Sequence, residues 1–141
     1  MRTVEMAMAR KTKTPKAADH LQLGAFFYRS GSYDLAIEQF VAASKRAPHL
    51  PNVWLNLGVA YIDKGELQKA KESLERALKL KPDYPPAYFH LGVLYERLGD
   101  LERARESFNR VIDLDRYGEL GRRASEIVGG SFEKVIFSLH Q

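Results

Sequence analysis

Residues 51–84 read PNVWLNLGVAYIDKGELQKAKESLERALKLKPDY. The apolar residues in each half of this stretch recur at helical spacing; they are Trp54, Leu57 and Tyr61, followed by Leu67, Ala70, Leu74, Ala77 and Leu78. Gly65 lies between the two runs, and a glycine is typical of the place where one helix ends before another begins. The stretch therefore predicts a hairpin of two helices, near 52–64 and 68–80.

The same pattern recurs on both sides of this stretch without a gap, because the interval from Gly24 to Gly58 equals the interval from Gly58 to Gly92. Eight positions keep their chemistry in all three copies: Leu23, Leu57 and Leu91; Gly24, Gly58 and Gly92; Phe27, Tyr61 and Tyr95; Gly31, Gly65 and Gly99; Tyr33, Leu67 and Leu101; Ala36, Ala70 and Ala104; Phe40, Leu74 and Phe108; Ala43, Ala77 and Val111. Pro48 and Pro82 close the first two copies, and Arg116 stands at that place in the third. The copies span 17–50, 51–84 and 85–118, and the outer two predict helices near 18–30, 34–47, 86–98 and 102–114.

The central copy resembles the tetratricopeptide repeat family, whose signature it carries at Trp54, Leu57, Gly58, Tyr61, Ala70, Leu74, Ala77 and Pro82. A repeat of that family is about 34 residues long, as each copy is here. The three copies cover 102 of the 141 residues. The resemblance implies an all-α fold, in which helix-turn-helix hairpins form a right-handed superhelical array, an α-solenoid. Stacking is also expected on physical grounds, because a single hairpin cannot bury its apolar face alone. The small residues are predicted to lie where the two helices of a hairpin cross; they are Gly24, Gly58 and Gly92 with Ala36, Ala70 and Ala104.

The segment after the third copy is predicted to close the array. The apolar side chains of residues 119–128 fall on one side of a helix; they are Leu120, Ala124, Ile127 and Val128. We interpret this segment as a C-terminal capping helix with a polar outer face. Residues 129–141 follow as a Gly-Gly hinge and a tail with a second apolar stripe, formed by Phe132, Val135, Ile136 and Leu139. The sequence leaves three alternatives open for the tail. It packs on its own chain, it docks in a groove, or it is disordered. Docking in the groove of a neighbouring chain would make a homo-oligomer.

The net charge of +4 lies entirely in residues 1–16, which carry five basic side chains and one acidic one. The other 125 residues hold 17 basic and 17 acidic side chains, so the body is neutral. This basic arm is predicted to be a flexible leader, and contact with nucleic acid through it is the disfavoured alternative. The sequence has no apolar run of about 18 residues, as a membrane span needs, and its start is too polar for a signal peptide, so we expect a cytoplasmic location.

The sequence has no motif for catalysis or for a cofactor. It contains no cysteine, which excludes disulfides, thiolate metal sites and a cysteine nucleophile. The four histidines, at 20, 49, 90 and 140, are not spaced as metal ligands with one another or with acidic residues. No phosphate-binding glycine loop and no Gly-x-Ser-x-Gly turn occurs. We therefore expect a non-catalytic protein that needs neither metal nor cofactor.

The resemblance implies a concave surface, lined by the first helix of each copy, that binds an extended peptide or a helix of another protein. The positions that would line it are Leu21, Ala25, Tyr28 and Arg29 in the first copy, Asn52, Leu55, Asn56, Val59, Ile62 and Asp63 in the second, and Phe89, His90, Val93, Glu96 and Arg97 in the third. Many of them are apolar although Trp54, Leu57 and Tyr61 already supply an inward stripe. An exposed apolar patch usually marks an interaction site. The sequence thus predicts an adaptor, a chaperone-like holder or an assembly factor.

One branch of this family binds the C-terminal carboxylate of its partner with a cluster of basic and amide side chains. The matching places here hold Leu21, Ala25, Asn56, Pro86 and His90, of which only Asn56 agrees with that branch. Because the basic residues are missing, recognition of a carboxylate is disfavoured. An apolar or amphipathic helix in the groove is the better expectation, with a self-assembling scaffold as the alternative.

Overall fold

The computed structural model describes residues 14–132, which form seven α-helices and no β-strand. The helices are α1 (Ala17–Arg29), α2 (Tyr33–Arg46), α3 (Pro51–Lys64), α4 (Leu67–Leu80), α5 (Pro85–Arg97), α6 (Leu101–Leu114) and α7 (Glu119–Ile127). The first six begin and end within one residue of the predicted bounds. The all-α fold is confirmed. Helices α1 and α2, α3 and α4, and α5 and α6 pair as three successive hairpins, called units one to three below.

The two helices of each unit cross where a glycine leaves room for a large side chain. A Cβ atom added to Gly58 would lie 2.8 Å from the Leu74 side chain. At Gly24 and Gly92 it would lie 2.5 Å and 2.6 Å from the rings of Phe40 and Phe108. Because real Cβ atoms do not approach so closely, only glycine permits this crossing. The prediction that these glycines lie at the crossings is confirmed.

A second set of glycines makes the turn inside each unit. Gly31, Gly65 and Gly99 have φ angles of 79°, 91° and 78°, the left-handed region that favours glycine. The next residue then donates its backbone N–H to a carbonyl one turn back in the first helix, at 2.9 Å for Glu66 to Tyr61. This is the usual way for a helix to end at a left-handed glycine. The chain therefore reverses direction within two or three residues and starts the second helix.

The three units share one continuous core, because partly buried side chains belong to two neighbouring clusters at once. Tyr61 packs against the cluster of Phe40 and Leu57 and also against the cluster of Leu74 and Leu94. A third cluster contains Phe108 and Val111. It is joined to the cluster of Leu74 and Leu94 by Tyr88, Val93 and Tyr95, which pack against both. The core therefore runs along the array instead of forming three separate centres, as expected for stacked repeats.

Helix α7 packs on the third unit. Ala124 is buried, and Leu120, Ile127 and Val128 pack beside it against Phe108 and Val111. A π-helical turn, Val128–Phe132, follows, and Gly130 leaves the helical region within it. The predictions for the basic arm and for the apolar tail fall largely on residues 1–13 and 133–141, which lie outside the described residues, so they stay predictions.

Candidate functional site

Three polar contacts join the first helices of the three units on one face. The Tyr28 hydroxyl in α1 donates a hydrogen bond to the Asp63 carboxylate in α3. In α5, the Arg97 guanidinium donates to the Ile62 carbonyl at 2.9 Å and lies 3.6 Å from the other Asp63 oxygen. Burial, with Asp63 beside it, raises the pKa of Tyr28, so its hydroxyl keeps the proton that it donates. These contacts hold α1, α3 and α5 in a fixed relation along the face predicted to be concave.

A pocket of about 100 Å³ opens on this face between the first and second units. Its lining is formed by Ala25, Tyr28, Phe40, Asn56 and Val59. Four of these are predicted groove residues, and Phe40 is the one that the sequence analysis did not include. Phe40 is only 3% exposed and belongs to a core cluster, so nothing in the sequence pattern distinguishes it from the other core residues. The pocket is apolar except for the Asn56 amide and the Tyr28 hydroxyl, so it suits an aliphatic side chain with one polar group beside it.

Two predicted groove residues lie in the core instead. Ile62 is 2% exposed and packs with Leu74 and Leu94. Phe89 is 4% exposed, because its ring packs edge-on against Phe108 and the guanidinium of Arg123 from α7 covers it at 4.7 Å. Fewer apolar side chains are therefore accessible on the predicted groove face than the sequence indicates. The sequence pattern missed this because burial depends on which neighbouring helix covers a side chain.

The other thirteen predicted residues keep exposed surface. Those partly buried are Leu21, Ala25, Tyr28, Leu55, Asn56, Val59, Asp63, His90 and Val93, and those exposed are Arg29, Asn52, Glu96 and Arg97. Equivalent places of the three units hold Arg29, Asp63 and Arg97. The first helix of each unit therefore carries a charged side chain in its last turn.

His90 is uncharged at neutral pH. Burial lowers the pKa of His90 to about 4, and the nearby Arg123 lowers it further, whereas Asp63 acts in the opposite direction. The ring also meets the edge of Phe89, with the ring centres 5.6 Å apart. The uncharged ring therefore supplies no positive charge to this face at neutral pH.

Two larger pockets, of about 320 Å³ and 360 Å³, lie on equivalent residues of the second and third units, away from the predicted groove face. Basic side chains cover their aromatic walls: the Arg76 guanidinium lies 4.3 Å from the Trp54 ring centre, and that of Arg110 lies 5.7 Å from the Tyr88 ring centre. A ligand would have to displace these cations, which makes the pocket at Asn56 and Val59 the better candidate.

Within residues 14–132, no group of three or more acidic or histidine side chains is arranged to hold a metal ion. None of the helices described there is both long and apolar enough to cross a membrane.

A protein family and a number of solved structures match this chain. The family described as "Tetratricopeptide repeat" matches residues 21–85 and again 55–119, so that the two matches overlap and together cover residues 21–119. No curated protein matches the sequence significantly.

Solved structures match the fold at low sequence identity. The tetratricopeptide domain of Sgt2 from Aspergillus fumigatus is 24% identical, with a TM-score of 0.79, over 92% of this chain and 84% of that one. The first such domain of Spaghetti (RPAP3), bound to the HSP90 peptide SRMEEVD, is 22% identical, with a TM-score of 0.76, over 92% of this chain and 98% of that one. The TPR2B domain of yeast Sti1, in complex with pHsp70, is 17% identical, with a TM-score of 0.74, over 78% of this chain and 90% of that one.

Proposed function

Because this chain belongs to the tetratricopeptide repeat family, we propose that it is a non-catalytic adaptor, holder or assembly factor that binds a segment of another protein in its concave groove. The segment is an apolar peptide or one face of an amphipathic helix. The observation that carries the proposal is the apolar pocket lined by Ala25, Tyr28, Phe40, Asn56 and Val59. It offers room for one aliphatic side chain, and the Asn56 amide can hydrogen-bond the backbone of the bound segment.

The proposed partner differs from the HSP90 and Hsp70 peptides held by the structural neighbours. Those peptides belong to the neighbours, which share the fold with this chain at identities of 17% to 24%. Here Leu21, Ala25 and Pro86 stand where a carboxylate-binding groove has polar or basic side chains, and His90 is neutral. Without these cations a terminal carboxylate would lose its hydration without gaining an ion pair. The groove therefore favours internal apolar segments over free C-termini.

Peptide selection on the full chain tests this proposal. Peptides selected from a display library should share an aliphatic residue, and Val59→Asp should weaken their binding at least tenfold by isothermal titration, about 1.4 kcal/mol. Leu80→Asp is the matched control, because Leu80 is exposed at the end of α4, away from the groove, and this variant should bind as wild type does.

The form of the peptide terminus separates the two kinds of recognition. Amidation of the C-terminus of a selected peptide should change its affinity less than twofold. Selected peptides that bind Val59→Asp as well as wild type would refute the groove as the site. Peptides that lose most of their affinity on amidation would show that the groove recognises a terminal carboxylate.

A further inference from the structure

Helix α7 stands at the place of a further first helix. It begins at Glu119, one repeat length after Pro85, the first residue of α5, and α5 begins one repeat length after Pro51, the first residue of α3. It packs on α6 and also contacts α5, as α5 contacts α3. The row of first helices therefore runs from α1 through α3 and α5 to α7, and α7 extends the predicted groove face.

This placement brings Arg123 of α7 onto the predicted groove face. Its equivalents are Leu55 in α3 and Phe89 in α5, which are both predicted groove residues. The Arg123 guanidinium lies 4.7 Å from the centre of the Phe89 ring. Together with burial, its charge lowers the pKa of His90, so the cation is close to that ring as well. A basic group thus stands beside two predicted groove residues, although the sequence predicted none in α7.

The charge of Arg123 has no counterion in the described part of the chain. Its side chain is exposed, and no acidic side chain of residues 14–132 forms an ion pair with it. Even Glu119 and Glu126, which lie one turn before and after it on α7, form none. The donor groups of Arg123 are therefore free to bind an acidic group of a partner.

The other charged groups of this face are paired or further away. Arg97 lies 3.6 Å from an Asp63 oxygen, so its charge is compensated. Glu96, the one acidic residue of α5, comes two turns after Phe89, which is about 10 Å along a helix. A carboxylate that reaches Arg123 therefore gains an ion pair and meets no acidic side chain of α5 close by.

The contact with Phe89 holds the guanidinium without using its hydrogen-bond donors. A guanidinium is attracted to the face of an aromatic ring, while its N–H groups point outward in its own plane. Arginine binds a carboxylate in that plane with two parallel hydrogen bonds. The Phe89 ring itself packs edge-on against Phe108, so the support is fixed. Little side-chain freedom is then lost when a carboxylate binds.

The pocket and Arg123 lie towards opposite ends of the same face. The pocket lies between α1 and α3, and the guanidinium of Arg123 lies between α5 and α7. Packed helices are about 8–10 Å apart, so about 16–20 Å separate the two places. An extended segment covers this distance in about five or six residues.

We propose that α7 is part of the binding site and that Arg123 selects segments that carry an acidic side chain. This inference rests on the proposed function. An aliphatic side chain of an extended segment fills the pocket at Val59, and an Asp or Glu about five or six residues away pairs with Arg123. The partner is then an acidic and aliphatic segment, in which the spacing of the two side chains matches the distance along the face.

Charge reversal on both sides of the pair tests this inference. Peptides selected from a display library on the full chain should carry an acidic residue at this spacing from the aliphatic one. Arg123→Glu should weaken the binding of such a peptide at least about fivefold by isothermal titration. Replacement of the acidic residue of the peptide by lysine should restore its binding to this variant.

Arg122→Glu is the matched control, because it makes the same change of charge at the next residue. Arg122 stands at the place of Trp54 and Tyr88, which line the pockets away from the groove face, so this variant should bind within twofold of wild type. Arg123→Gln removes the charge but keeps an aliphatic stem over Phe89. Loss of affinity in this variant at an unchanged melting temperature would separate binding from folding.

Val59→Asp separates this inference from the proposed function. If Val59→Asp abolishes binding but Arg123→Glu binds as wild type does, the pocket stands and the role of α7 is refuted. An equal loss in Arg122→Glu and Arg123→Glu would also refute it, because the effect would then come from net charge alone. If amidation of the peptide C-terminus removes the effect of Arg123→Glu, a terminal carboxylate meets Arg123 and the proposed acidic side chain does not. Binding that Val59→Asp leaves unchanged would refute the proposed function itself.

Discussion

In each unit, a glycine without a side chain allows the two helices to approach closely at their crossing. The Cβ that Gly58 lacks would overlap Leu74, and Gly24 and Gly92 have the same relation to Phe40 and Phe108. Each glycine and its large neighbour therefore act as a pair, and the apolar ring or branched side chain fills the space that the glycine leaves. At this scale the sequence pattern was a good guide, because the contact lies within a single hairpin.

Gly58→Leu is expected to lower the free energy of unfolding by about 1–3 kcal/mol, because the new side chain overpacks the crossing of α3 and α4. The better helix propensity of leucine offsets only part of this loss. Urea unfolding followed by circular dichroism measures the change. Gly129→Leu is the control, since nothing lies within 4 Å of the Cβ that it would add. Equal stability of Gly58→Leu and wild type would contradict the crossing.

His90 should make the stability of the protein depend on pH between about 4 and 6.5. Burial lowers the pKa of folded His90 to about 4, and a histidine in the unfolded chain titrates near 6.5. Between these values the unfolded state binds more protons, so stability is fully present above pH 6.5 and is lost as the pH falls towards 4.

His90→Gln tests this, because it should remove about 2–3 kcal/mol of the difference in unfolding free energy between pH 7 and pH 4.5. Denaturant melts at the two pH values measure it. His49→Gln, at an exposed turn residue, should leave the difference as it is in wild type. An unchanged pH dependence in the His90 variant would show that the ring titrates normally in the folded protein.

Residues close to each boundary determine where the helices begin and end. Pro51 and Pro85 begin α3 and α5, where a proline needs no hydrogen-bond partner for its nitrogen, and Gly65 ends α3 in a left-handed conformation. The Asp100 side chain accepts a hydrogen bond from the Arg103 N–H at the start of α6. Signals of this kind lie within a few residues of each boundary. For this reason the sequence predicted the first six helices to within one residue.

Helix α7 is short, and its position depends on close contact with the turn before it. A Cβ on Gly121 would lie only 1.7 Å from the backbone carbonyl oxygen of Asp115. Backbone atoms cannot move aside as a flexible side chain can. We therefore expect Gly121→Ala to loosen α7 from the third unit and to destabilise the protein by about 2 kcal/mol or more.

Thermal unfolding together with fluorescence of a dye that binds apolar surface measures this effect. The Gly121 variant should melt earlier and bind more dye, because Phe89 and Phe108 lose the cover of α7. Ser125→Ala is the control on the same helix, since Ser125 is exposed and alanine favours a helix. A Gly121 variant with the melting point of wild type would mean that α7 contributes no stability.

The whole array is held in register by contacts that no single unit contains. Asp63 in the second unit accepts the Tyr28 hydroxyl from the first and lies beside Arg97 from the third. Its carboxylate therefore couples the outer two units along the face predicted to be concave. Because the same face carries the proposed binding pocket, rigidity along the array also fixes the shape that a partner meets.

Tyr28→Phe and Arg97→Met should therefore not be additive. We expect a coupling of about 0.5 kcal/mol or more in a double-mutant cycle of unfolding free energies, although the two residues belong to different units. Asp63→Asn should abolish the coupling, because both partners act through this carboxylate. Tyr28→Phe with Arg110→Met is the control pair and should be additive. Additivity of the first pair would show that the units are linked through apolar packing alone.

The sequence by itself determined the repeat, the helices, the turns and the glycine crossings, because all of them depend on contacts within a single repeat. Only the tertiary structure decided which apolar side chains remain accessible on the face predicted to bind. Ile62 and Phe89 follow the pattern of groove residues, yet neighbouring helices cover them, whereas Phe40 follows the pattern of a core residue and reaches the pocket. The charge state of His90 likewise depends on its burial in the stacked array. Exposure and pKa are set by everything that surrounds a residue, and those surroundings come from helices far away in the chain.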